Sequence, residues 1–124
     1  MKTFTNGEGK FCLLLNYGRN YLSADDISYI EGDGNYSTII NKNGQQILSS
    51  FTLRKFTDHL VEQGNFFIAR KGLLINLERL NGIEIHGGKI YAIMKSEEKL
   101  PLSRRKGKAL LEHIQNIGLQ ISIR

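Results

Sequence analysis

A chain of 124 residues, 40% hydrophobic and 23% charged, is long enough to bury one core and too rich in Ile, Leu and Phe to be a disordered polymer. Its formal net charge of +5 favours polyanions or acidic surfaces as partners without saying which. The single cysteine, Cys12, excludes an internal disulfide, and in the run Phe11-Cys12-Leu13-Leu14-Leu15 it reads as a small buried hydrophobe. No stretch reaches the roughly 18 apolar residues of a membrane span, and Met1 to Gly7 lack a signal-peptide core. The expectation is a cytoplasmic protein with no membrane partner.

Residues 1–10 are polar, contain Gly7 and Gly9, and read as a loose lead-in. Residues 11–15 form a first strand, Asn16 to Asn20 a turn, and Tyr21-Leu22 the start of a second short strand. Ser23 to Asp26 carry turn chemistry. Ile27 to Glu31 is the next strand, bounded by Gly32-Asp33-Gly34. Tyr36 to Ile40 follows and turns at Asn41-Lys42-Asn43-Gly44, because an Asn-Gly pair accepts positive φ at low cost. Gln46 to Phe51 returns, so residues 36–51 are a hairpin. Thr52 caps a helix whose Leu53, Phe56 and Leu60 share one face, and Gly64 ends it.

Phe66 to Ala69 read as buried, Arg70-Lys71-Gly72 interrupts them, and Leu73-Leu74-Ile75 resumes. Arg79 to His86 and Lys89 to Met94 make a second hairpin across Gly87-Gly88. Lys99 to Leu102 is a strand. Ser103 then opens a helix to Ile117, with Leu110, Leu111, Ile114 and Ile117 as its apolar face. Gly118 ends that helix, and Leu119 to Ile123 read as a terminal strand. Short strands joined by hairpin turns imply antiparallel pairing. The expected fold class is therefore mostly β, built of antiparallel sheets and hairpins with two short helices. No composition break divides the chain.

The residues do not assemble an enzyme. His59, His86 and His113 sit in unrelated contexts without metal-ligand spacing. Gly32-Asp33-Gly34 leads into a strand where a dinucleotide fingerprint needs a helix, and Glu31, Asp33 and Asn35 lack calcium-loop spacing. There is no phosphate-binding Gly-Lys-Ser or Gly-Lys-Thr and no nucleophile elbow. No catalytic residue, cofactor or metal is expected.

The basic residues say more. Arg104, Arg105 and Lys106 occupy the first turn of a helix, whose N-terminal end already carries about half a positive charge. Such an arrangement suits an arriving anion such as phosphate, or it is a solvated basic turn. Arg70-Lys71 breaks an apolar segment, either as a loop offered to a phosphate backbone or as a charge that blocks a sheet edge. Gly34-Asn35-Tyr36-Ser37 presents an amide, a phenol and a hydroxyl, groups that contact phosphates and base edges. On these residues alone a plain strand-entry turn is the favoured reading.

Taken in order, these stretches resemble the LytTR family of bacterial DNA-binding domains. Asp26 to Gly32 with Asn35-Tyr36 is similar to the family's opening, and Thr52-Leu53 with Leu60 to its first helix. Phe66 to Leu77 is similar to its most distinctive block, and Leu100-Pro101-Leu102-Ser103-Arg104-Arg105 to its closing signature. The resemblance covers residues 23–118, leaving 1–22 as a lead-in with the first strands and 119–124 as a C-terminal strand or tail. It implies an elongated antiparallel β fold in which loops enter the grooves of double-stranded DNA, and a transcription regulator of the response-regulator type. It implies DNA contacts at Asn35, Tyr36 and Ser37, at Arg70 and Lys71, and at Arg104, with Arg105 and Lys106 on phosphates.

The resemblance also implies two domains on paired repeats, hence a homodimer on tandem sites. Two positions depart from the pattern. Gly72 stands where the family usually has a small hydroxyl residue, and Lys71 where it often has an arginine, so the planar fork is lost there. Residues 1–22 are too short for the receiver or membrane segment that family members usually carry. The expectation is a stand-alone regulator or one with a separate receiver or sensor protein. A module that binds a partner regulator without productive DNA binding is the alternative. RNA binding is weaker, since Phe66 and Phe67 sit among apolar neighbours rather than forming a stacking platform.

Overall fold

The computed structural model describes residues 1–18 and 20–124. The strands are β1 (Thr3–Thr5), β2 (Phe11–Leu15), β3 (Asn20–Ser23), β4 (Ile27–Asp33), β5 (Tyr36–Asn41), β6 (Gln46–Ser49), β7 (Phe66–Arg70), β8 (Leu73–Asn76), β9 (Leu80–His86), β10 (Lys89–Met94), β11 (Lys99–Leu102) and β12 (Ser122–Ile123). The helices are α1 (Leu53–Leu60) and α2 (Arg104–Ile117). Among the described residues the strands form three sheets, in the orders β1-β2-β3, β6-β5-β4-β8-β7 and β11-β10-β9-β12.

The five-stranded sheet lies at the centre because its apolar residues alternate and both faces need cover. Ile30, Ile39 and Leu74 pack with Leu13 and Leu15 of the small sheet and with Phe56 and Leu60 of α1. Tyr29, Ile40, Leu73 and Ile75 point the other way, against Ile83, Ile90, Ala92 and Leu100 of the third sheet and Leu110 and Ile114 of α2. All four residues of β8 are consequently buried. A bulge between Ile27 and Tyr29 puts Ile27 and Ile30, three apart, in the same cluster.

The expected mostly-β architecture with two helices is observed, and both hairpins form where the Gly-containing turns place them. Four details differ. Thr3–Thr5, within the stretch expected to be loose, pairs with Phe11–Leu13. β6 stops at Ser49, where Ser37 and Ser49 are the last paired residues. Ile68 is 43% exposed, because β7 is an edge strand with a covered side only toward β8. The terminal strand is two residues long and runs parallel to β9. Ile85 N donates to Arg124 O and Arg124 N to Ile83 O, at 2.9 and 2.8 Å.

Candidate nucleic-acid interface

Strand register brings separate turns to one end of the molecule. Glu31 pairs with Leu73, and β4 continues only to Asp33. The Gly34-Asn35 turn and the Lys71-Gly72 turn therefore leave the central sheet side by side. Gly32 N donates to Gly72 O at 2.9 Å. Gly72 has φ +83, a left-handed conformation that a side chain would strain. The glycine in place of a small hydroxyl residue thus has a backbone reason.

On the third sheet Ile90 pairs with Leu102 and Lys89 with His86. The Gly87-Gly88 tip and the β11–α2 junction accordingly share an end. A Cβ placed on Gly88 would lie 3.4 Å from Arg104 Nη2. Arg70 joins the two sheets. Its Nε donates to the Pro101 carbonyl at 3.0 Å and its Nη1 to the Lys71 carbonyl at 3.4 Å. The side chain sets the distance between the Lys71 turn and the start of α2.

That helix starts as its sequence requires. Ser103 is extended (ψ 158), and its Oγ accepts from Lys106 N at 3.2 Å. Gly118, at φ 71, closes the other end. Gly107 lets α2 settle onto β10, since a Cβ there would come within 2.6–2.8 Å of Ile90 side-chain atoms. The position of Arg104, Arg105 and Lys106 is fixed from beneath by this contact.

Lys71, Arg104, Arg105 and Lys106 are exposed, and so are Asn35 and Tyr36 at the neighbouring turn. Among the described residues the ion pairs are Lys10–Asp25, Lys42–Asp26 and Lys99–Glu84, and none uses a cation of this end. Three cations beside a helix N-terminus, none of them in an ion pair among the described residues, form a site of positive potential. Arg70 is half-buried and its Nε is committed to Pro101, which makes it a strut. Ser37 does not join the cluster. It is 1% exposed, and its Oγ donates to Phe51 O at 2.8 Å. Strand alternation turns Tyr36 outward and Ser37 inward.

Sequence reasoning missed the Pro101 acceptor and the Gly87-Gly88 tip. The tip was visible as a hairpin turn, but its neighbour Arg104 lies too far along the chain to be paired with it by eye. The histidines have other employment: His113 stacks on Phe67 with ring centroids 4.8 Å apart, and no three His, Cys, Asp or Glu side chains gather as metal ligands among the described residues. The perturbed acids lie off the cluster. Burial, then the carboxylates of Glu98 and Glu31, push the Tyr29 phenol well above its ordinary range. The Lys99 ammonium, hydrogen-bonded to Glu84, holds that carboxyl below its usual value.

Fold and site together define a layered β module that presents loops and a helix start, rather than a helix flank, at one cationic end. The family model of the LytTr DNA-binding domain matches residues 18–115, and the chain belongs to the LytTR family. The family's domains are DNA-binding domains. The LytTr DNA-binding domain of a methyl-accepting/DNA response regulator from Bacillus cereus has the same fold, with a TM-score of 0.64 at 11% identity over 83% of this chain and 95% of that one. No curated protein matches the chain. Among the described residues no helix is long and apolar enough to cross a membrane.

Proposed function

We propose that this protein is a transcription regulator that reads a specific sequence in duplex DNA with the turns at its cationic end. One observation carries the reading. Cations from segments 31 residues apart are braced together by the Arg70–Pro101 hydrogen bond, and among the described residues none of them has a carboxylate partner.

The roles follow from chemistry. Arg104 offers a planar fork that matches guanine O6 and N7, while Lys71 offers a point charge with freer geometry. Asn35 and Tyr36 extend the contact from the adjoining turn. Arg105, Lys106 and the free N–H groups of α2 fit phosphates, which set register without reading sequence. Arg70 acts by holding the turns apart rather than by touching bases.

Selection of binders from a randomised duplex library at near-physiological salt tests this. Enrichment of a short motif is the expected result. Salt-labile binding without enrichment would refute sequence reading and favour a module that binds a partner regulator instead. With a motif in hand, Arg104→Ala should cost about 1–3 kcal/mol at the preferred site and relax one position. Equal weakening on all sequences would remove Arg104 from base reading.

A further inference from the structure

The turns at the cationic end contain Gly34, Gly72, Gly87 and Gly88, each with positive φ. These glycines differ in what a side chain would meet. At Gly34 and Gly87 a Cβ would find nothing within 4 Å, and at Gly72 it would find the Gly32 carbonyl oxygen at 3.6 Å. At Gly88, alone of the four, it would meet a side chain assigned to DNA, with Arg104 Nη2 at 3.4 Å. The guanidinium therefore lies against the bare backbone of the β9–β10 tip.

Helix and strand periods explain why Arg104 is the cation found there. Arg104 and Gly107 are three apart on α2 and share a helix face, and Gly107 is pressed against Ile90 of β10. Gly88 lies two residues before Ile90. Those two residues span about 6.6 Å of strand and the three helical residues rise about 4.5 Å, so the face that meets Ile90 at Gly107 meets the tip at Arg104. Arg105 and Lys106 are turned about 100° and 200° away from that face.

The turn itself does not ask for glycine at this position. His86 pairs with Lys89, leaving a two-residue loop with φ +59 at Gly87 and +80 at Gly88. Asparagine tolerates such angles. A Cβ at 88 would already touch the guanidinium, and the atoms that asparagine carries beyond Cβ would compete for the same space.

We propose that Gly88 is a positioning residue for Arg104: its missing side chain is a seat that holds the guanidinium in one orientation before DNA arrives, and so selects the base pair that Arg104 reads. The role rests on the base reading assigned to Arg104 above. An arginine held in place beforehand loses less freedom on binding, an advantage of about 2–10-fold in affinity.

The free protein gives the first check. In NMR spectra the Gly88 Hα protons should show cross-relaxation with the Arg104 side chain, and absence of that cross-peak would overturn the seat. The second check compares Gly88→Asn with Gly87→Asn, which makes the same kind of backbone demand but faces open space. Both are titrated with the preferred duplex and its single-base variants. Gly88→Asn should lower discrimination about 2–10-fold at the position that Arg104→Ala relaxes and nowhere else, and should add nothing in an Arg104→Ala background. Gly87→Asn should keep the wild-type discrimination there. Equal loss in both variants, loss spread over all positions, or additive loss in the double variant would each overturn the seat while Arg104 still reads its base. If Arg104→Ala relaxes no position, the base reading falls and the role of Gly88 falls with it.

Discussion

Replacing Arg105 and Lys106 together by Gln should make the protein more stable and a worse DNA binder. Both residues lie in the first turn of α2 and are exposed, and a cation at this end of a helix opposes the dipole by about 0.3–1 kcal/mol. Exposure favours the lower half of that range, so the double variant gains about 0.5–1 kcal/mol. For a domain of this size that is a rise of about 2–4 °C in Tm. The same change removes two phosphate contacts, which should make the salt slope of DNA binding shallower by about 2. Urea unfolding followed by circular dichroism at about 0.05 M and 0.5 M salt measures the first effect, and the gain should shrink at high salt as the charges are screened. Fluorescence anisotropy with duplex DNA measures the second. A double variant less stable than wild type at low salt would mean that the cations do not oppose the helix end. The inference from their placement to an anionic partner would then fail.

Removing the strut with Arg70→Met should cost about 1 kcal/mol of stability, speed amide exchange at Leu73, and weaken binding to all DNA sequences alike; loss confined to one base position would make Arg70 a reader instead. Gly107→Ala gains up to about 1 kcal/mol of helix propensity but drives a methyl into Ile90, an overpacking cost of about 1–3 kcal/mol. A net loss in urea unfolding, partly recovered by adding Ile90→Val, is expected. Tyr29 holds its proton more tightly when folded, so stability should fall as pH rises past the ordinary phenol value of about 10. The effect is fully absent below that pH, and Tyr29→Phe should flatten the urea midpoints measured across it.

What could be read from the chain beforehand was local chemistry. The Asn43-Gly44 and Gly87-Gly88 turns located both hairpins, and Ser103 with Gly118 bracketed α2 as the structure has it. Contacts between distant residues were not legible. Thr3–Thr5 has little apolar pattern of its own and becomes a strand only because β2 offers it an edge. The two-residue β12 is held by the backbone of β9, which no composition announces. Arg70 looked like one more exposed cation, since its acceptor is a carbonyl on another sheet. Ser37 looked available because a turn residue next to Tyr36 invites that reading, and only the Phe51 carbonyl shows that its hydroxyl is spent.

The bond from Arg70 to Pro101 has a consequence for how such a protein changes its target. A proline has no N–H to give, so its carbonyl is the one backbone group residue 101 can offer, and the guanidinium takes it. The spacing between Lys71 and Arg104 is then decided inside the protein. If Lys71 and Arg104 read bases as proposed, substitutions at 71 or 104 would alter which bases are favoured while leaving their separation alone, whereas substitution at 70 would alter the separation and spare the base preference. On that reading, base preference and spacing are set by different residues of the same end.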